Sequence, residues 1–238
     1  MGLLRPRIRA GLQARLDAGE RLLDWARRHR DLNRPLAWFH AASVGEGRQA
    51  ESVLLALRRR CPECQIVYTH FSPSAQPLAE GIASDVSDYL PYDLPQNVDR
   101  LLRTLQPDLL VFAKLDVWPE LSTRAAGRGA DVALIAATVS PGSSRLRWLA
   151  RRLLEAGYRS ITAAAAVGPG DASRLERLGV APERIQILGD PRFDSVVARV
   201  RAVAPEDPLL RLGGGAPTSC WLACSSGWRS SPRASSPC

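Results

Sequence analysis

Ser43, Gly45 and Glu46 are the first residues in the chain whose types and spacing could carry out chemistry. They lie in Trp38–Arg48, which reads as a buried strand, a tight Ser/Gly turn and the first turn of a helix. In open α/β sheets, ligands bind just outside the carboxyl ends of strands, and this is the first such end. Glu46 then has two readings. A carboxylate in a helix's first turn is favoured by the macrodipole, with no further role. The same positive end also holds it ionised and ready to accept a hydroxyl proton as a general base. Ser43 and Gly45 could offer backbone N–H groups to an anion. The turn is not GxGxxG, and no acidic residue follows at ribose-binding distance, which disfavours a dinucleotide. His40 and His70 both close strands, so they could converge on one cleft or be satisfied structural histidines. Ser72-Pro73-Ser74 is a turn and helix cap whose hydroxyls could reach a ligand. Lys114–Glu120 puts an ion pair of Lys114 with Asp116, a tryptophan and a helix start into one loop. That suits a polar, phosphate-bearing ligand; packing beneath Trp118 is the alternative.

No Ser/His/Asp order and no metal-ligand cluster stands out. Cys61-Pro62-Glu63-Cys64 is a lone CxxC, and a structural zinc site wants four ligands, so two free thiols are expected in a helix-to-strand turn. Five cysteines are an odd number, which suits a reducing cytoplasm.

The elements that must position these residues alternate from Leu36 onward. Strands are expected at 36–41, 65–69, 87–90, 109–113, 131–137, 161–167 and 184–188. Between them, helices are expected at 47–60, after 74, at 96–105, from Pro119, near 145–156 and at 171–178, with another at 192–203. In 96–105, Val98, Leu101, Leu102 and Leu105 fall at i, i+3, i+4, i+7, one apolar helix face. This rhythm implies parallel βαβ units and an α/β, doubly wound, Rossmann-like sheet.

Ahead of it, residues 1–35 form a basic amphipathic segment: 7–30 repeats apolar and Arg positions at helical spacing, with a break expected near Gly19. This helix either meets an anionic membrane surface or packs on the domain. The domain spans 36–190, residues 191–216 are a linker into a further unit, and 217–238 lack any hydrophobic period. That tail holds three of the five cysteines and looks like a lost reading frame near Thr218.

The net charge of +8 sits at the ends. Residues 1–30 hold eight arginines against Asp17, Glu20 and Asp24, and 217–238 add Arg229 and Arg233, leaving the body near neutral. A broad nucleic-acid surface is therefore excluded as the expected partner. No apolar run reaches the length of a membrane span.

Five ordered pieces resemble the 3-deoxy-D-manno-octulosonic acid (Kdo) transferases. They are Trp38–Glu46, Tyr68–Ala75, Leu90-Pro91-Tyr92-Asp93, Asp116–Leu121 and Gly189–Asp194, together covering about residues 36–196. The resemblance implies the N-terminal half of a GT-B glycosyltransferase, which transfers Kdo from CMP-Kdo to a lipid A precursor hydroxyl with inversion and without a metal or other cofactor. It makes Glu46 the catalytic base and counts Ser43, Gly45, His70, Ser72, Lys114, Asp116 and Arg192 among substrate-binding residues. It implies a peripheral protein of the cytoplasmic face of the bacterial inner membrane, or a cytoplasmic one. Lys114 and Asp116 stand where the family carries glutamates, which opens a second reading, a GT-B enzyme with another sugar. A third is a non-catalytic remnant. The family's donor-binding half is not represented, so the isolated chain is expected to transfer little or nothing.

Overall fold

The computed structural model describes residues 6–193, with side chains described from Gln13 onward. Helix α1 (Pro6–His29) precedes seven strands: β1 (Leu36–His40), β2 (Gln65–His70), β3 (Val86–Tyr89), β4 (Leu109–Ala113), β5 (Asp131–Ala137), β6 (Ala163–Ala166) and β7 (Ile185–Ile187). The connecting helices are α2 (Val44–Arg60), α3 (Gln76–Gly81), α4 (Pro95–Leu105), α5 (Pro119–Ala126), α6 (Trp148–Arg159) and α7 (Pro169–Leu178). The strands make one sheet in the order β3-β2-β1-β4-β5-β6-β7, and every pair is parallel. The expected Rossmann-like α/β sheet is what forms. Arg192 and Phe193 begin a helical turn, but the rest of the expected helix at 192–203, most of the 191–216 linker and the 217–238 tail lie outside the described residues.

The central strands are buried along their whole length because helices cover both faces. Leu36, Trp38, Val67, Leu110 and Phe112 point to one core with α1, α4, α5 and α7. The alternate residues Ala37, Phe39, Ile66, Tyr68, Val111 and Ala113 point to a second core beneath α2 and α3. This period of two fixes which side of the sheet each strand-end residue serves.

Several local expectations shift. Helix α1 runs unbroken through Gly19, which faces the Pro91 loop with room for a side chain: a Cβ there would lie 3.8 Å from the Pro91 ring, an ordinary contact. Its buried face, Ala18, Leu22, Leu23 and Ala26, belongs to the first core. Of the two readings left open for this helix, the structure has it packing on the domain. Helix α2 starts at Val44, three residues before the expected 47, and Glu46 lies in its first turn, as its position had suggested. The span near 145–156 divides into a short 3₁₀ turn at Ser144–Leu146 and α6.

Gly47, one residue after Glu46, is required for packing. A Cβ there would lie 2.8 Å from the Tyr68 hydroxyl and 2.5 Å from a Leu78 methyl. Alanine normally favours a helix over glycine by about 1 kcal/mol. Gly47→Ala is expected to destabilise the fold instead, by about 1–3 kcal/mol from overpacking. Urea unfolding checks this, and a variant as stable as the parent would show that the α2–β2 contact can relax.

Candidate active site

The sheet order reverses between β1 and β4: the chain moves outward from β1 to β3, then returns to the other side of β1. The loops leaving β1 and β4 therefore diverge, opening the crevice in which such sheets bind ligands. Both loops carry the residues singled out above.

Ser43 is the N-cap of α2, its Oγ accepting a long 3.5 Å contact from Glu46 N–H. A Ser-x-x-Glu start normally closes a capping box, in which the glutamate reaches back to the cap N–H. Among the described residues no such return bond forms. Glu46 Oε2 is instead buried without a hydrogen-bond partner. The Tyr68 hydroxyl beneath α2 is likewise buried and unpartnered. Burial, aided by the charge of Glu46, pushes its pKa above the usual phenol range, so it stays a proton donor. Gly45 is exposed, with open space where a side chain would be. Ser72 N–H donates to Ala42 O at 2.8 Å, which holds the loop after β2 against the loop before α2. The Ser72 and Ser74 hydroxyls bond each other at 2.8 Å.

Asp116 sits across the crevice, on the loop after β4. His40 Nε2 and Trp118 Nε1 lie 3.1 and 3.0 Å from Asp116 Oδ2, and an Arg145 Nη lies 3.8 Å from Oδ1. His40 is fully buried, and its Nδ1 meets Thr69 Oγ1 at 3.1 Å. His40 Nε2 also lies 3.1 Å from Trp118 Nε1, so His40, Asp116 and Trp118 form one three-membered cluster. Burial alone would raise the Asp116 pKa, but the His40 and Trp118 hydrogen bonds and the nearby charges hold it below the usual carboxylate range. The expected ion pair of Lys114 with Asp116 does not form among the described residues. Lys114 is exposed and has φ +64°, a left-handed turn that rotates its side chain away from the strand.

His40 and His70 do not converge. His40 pairs in register with Thr69, so the next residue, His70, leaves β2 on the opposite side. It stacks on Tyr89, with ring centroids 4.2 Å apart, beside a cavity of about 470 Å³ between α1, α3 and the edge strand β3. Both of its ring nitrogens are buried without partners.

Arg192 is drawn to the start of α2 indirectly. Its Nη2 lies 2.6 Å from Asp190 Oδ2, and Asp190 Oδ1 accepts from the buried Gln49, one turn past Glu46. The chain after β7 has therefore crossed back over the carboxyl edge of the sheet to reach α2. Asp190 belongs to the Gly189–Asp194 piece but was not read as a site residue, and Gln49 was not singled out; it sits one helical turn from Glu46, which was the available signal.

The Leu90–Asp93 and Asp116–Leu121 pieces prove to be one device. Asp93 accepts the first free N–H groups of α5, from Glu120 at 3.0 Å and Leu121 at 2.9 Å. That fixes the helix after Trp118, and so the loop carrying Asp116. Asp93→Ala removes both bonds and is expected to cost about 1–3 kcal/mol of stability by urea unfolding. A loss below about 0.5 kcal/mol would mean that water replaces the carboxylate.

Away from the crevice, Cys61 and Cys64 are free thiols in the α2–β2 turn, as expected. Cys61 bonds Glu63, which pushes its thiol pKa up to about 11. A cavity of about 430 Å³ lined by Arg30, Arg103, Asp108 and Arg128 opens at the amino ends of the strands, opposite the crevice. No described helix is long and apolar enough to cross a membrane.

A sequence profile described as 3-deoxy-D-manno-octulosonic-acid transferase (kdotransferase) matches residues 13–195. The chain belongs to the Kdo transferase family. The 3-deoxy-D-manno-octulosonic acid transferase of Bordetella pertussis is 30% identical over 190 residues, covering 75% of this chain and 41% of that protein. The transferase of Chlamydia muridarum is 29% identical over 193 residues, covering 75% and 45%. That of Haemophilus influenzae is 27% identical over 159 residues, covering 66% and 37%. The chain thus spans less than half the length of these relatives. Among solved structures, the UDP-GlcNAc 2-epimerase of Neisseria meningitidis superposes with a TM-score of 0.52 at 14% identity, over 70% of this chain and 49% of that one. The UDP-N-acetylglucosamine 2-epimerase of Rickettsia bellii gives 0.52 at 15%, over 76% and 51%. These likenesses concern the fold alone, which is Rossmann-like and of the GT-B kind.

Proposed function

We propose that this chain is the acceptor-side half of a glycosyltransferase that moves Kdo from CMP-Kdo to a hydroxyl of a lipid A precursor, with inversion. The observation that carries the reading is the Glu46 carboxylate. It stands at the positive end of α2, beside the crevice, with a buried oxygen that no protein group uses. A sugar hydroxyl has a pKa far above neutrality and needs a base within hydrogen-bond reach as it attacks. Glu46 takes that proton as the new bond forms to the anomeric carbon from the face opposite the departing CMP. The leaving phosphate is already a weak base, so no strong general acid is needed. The donor is bound by the part of the protein that the family places across the cleft, and no further cofactor takes part.

A lipid acceptor also requires access to a membrane surface. Trp148, Leu149 and Leu153 of α6 are exposed, 56–70% open to solvent, among the exposed Arg147, Arg151 and Arg152. Aromatic and aliphatic groups ringed by arginines suit the interface of an anionic bilayer. We assign peripheral contact with the cytoplasmic face of the inner membrane to this helix, close to Arg145 and the Asp116 loop.

The test is transfer of labelled sugar to a lipid A precursor by the protein that carries this chain. Product from CMP-Kdo with the inverted anomeric configuration supports the reading. Product from another nucleotide sugar alone would replace the donor, as Lys114 and Asp116 at the family's glutamate positions allow. Absence of product with every donor would overturn the function.

A further inference from the structure

We propose that Arg15 of α1, roofed by Phe71, Tyr92 and Trp118, is a binding site for a phosphate or carboxylate group carried by the sugar substrate. Arg15 is only 7% exposed, and its guanidinium carbon lies 3.9, 4.6 and 5.6 Å from the ring centres of those three residues. They come from the ends of β2 and β3 and from the loop after β4, so the guanidinium lies at the carboxyl edge of the sheet. Its Nε donates to Leu90 O at 3.1 Å, while its Nη2 is buried with no partner.

A buried cation normally has a carboxylate bonded to it, because removing the charge from water costs several kcal/mol. Among the described residues Arg15 has no such salt bridge. The aromatic faces offset part of the cost through their quadrupoles, by about 1–2 kcal/mol per good contact. A carboxylate whose charge acts on Arg15 is Asp116, which also faces Arg145 and is already engaged by His40 and Trp118. Two guanidinium groups thus share one carboxylate that is otherwise occupied, which leaves surplus positive charge in a largely apolar setting. A guanidinium presents a planar fork of donors matched to two oxygens of a phosphate or carboxylate. Phe71 is the outer part of the roof, 38% exposed and stacked on Trp118 with centroids 5.6 Å apart. A change of its rotamer, a fast motion at an exposed site, uncovers Nη2.

The inference rests on the acceptor-side reading only for the molecule that bears the anion. The test uses the full 238-residue chain at low ionic strength, followed by calorimetry. The probes are N-acetylglucosamine 1-phosphate, glucuronate and uncharged N-acetylglucosamine. At least one anionic sugar is expected to bind tenfold or more tighter than the uncharged one, and Arg15→Met should abolish that preference. The anion that shows the dependence identifies the group. Arg15→Lys, which keeps the charge and most of the stem but loses the fork, should weaken binding several-fold. Should Arg15→Met fail to fold, the Arg15 Nε–H resonance of the parent chain must shift on adding the preferred anion. A preference retained in a folded Arg15→Met variant, or an unmoved Arg15 resonance at saturation, would overturn the site. Loss of the transfer reading with Arg15-dependent binding intact would leave the site standing without its proposed substrate.

Discussion

Replacing Glu46 with glutamine is expected to lower Kdo transfer by about 10²–10⁴-fold while acceptor affinity changes by less than about threefold. Glutamine keeps the shape of the side chain and removes its capacity to accept a proton. The loss corresponds to about 3–5 kcal/mol of transition-state stabilisation. Two smaller effects run in parallel. The carboxylate also interacts favourably with the positive end of α2, by about 0.3–1 kcal/mol, so a small fall in stability accompanies the substitution. The side-chain amide also places a donor where Oε2 has no protein partner, which lets the variant still bond the acceptor hydroxyl. Binding should therefore survive and turnover should not. Glu46→Asp retains a base set back by one methylene and should fall between the two. The decisive measurement is kcat and KM separately, on the protein that carries this chain. A turnover within tenfold of the parent would show that Glu46 serves only the start of α2.

Which residues meet across the crevice was much less legible in the sequence than the elements that carry them. The strands and helices were legible because two periods run through the chain: two in strands buried on both faces, and about 3.6 in α4 with Val98, Leu101, Leu102 and Leu105. Ser43-Val44-Gly45-Glu46 could be placed at a strand end by the same logic. Asp116 with His40, and Arg15 with Phe71, could not, because each contact spans more than fifty residues and depends on strand order. Periodicity says that a strand exists; it does not say which strand lies beside it. The amphipathic pattern of α1 shows why the ambiguity was physical. An apolar stripe flanked by arginines suits a membrane surface or a protein face equally, and it takes the structure to show that Leu22, Leu23 and Ala26 pack into the core. The Lys114–Asp116 ion pair failed for a local reason. Residues two apart on an extended strand share a face, but the left-handed turn at Lys114 breaks that geometry.

His70 should make the fold lose about 3 kcal/mol of stability as the pH falls from 6.5 to 4, and His70→Phe should remove that part of the slope. The ring is 2% exposed, stacked on Tyr89, and bonded by neither nitrogen. Burial lowers its pKa from 6.5 to about 4; the nearby Asp88 and Glu80 pull upward, and His40 adds to the depression. Above pH 6.5 neither folded nor unfolded chain protonates this residue, so its effect is constant. Between 6.5 and 4 the unfolded chain binds a proton that the folded chain refuses, so stability falls as pH falls. Below about 4 both states are protonated and the contribution levels off. A shift of about 2.5 units at about 1.4 kcal/mol per unit gives the stated magnitude. Asp116 acts in a separate window: its depressed carboxyl contributes stability above its unfolded value of 3.8, lost only as pH falls through the lower folded value. Urea unfolding of both proteins at half-unit steps from pH 7.5 to 3.5 separates the two. Phenylalanine keeps the aromatic stack and replaces both unpaired nitrogens, so the variant should also match or exceed the parent at pH 5. An identical slope in parent and variant would mean that the His70 ring finds a partner, such as water from the adjoining cavity, that keeps its proton affinity ordinary.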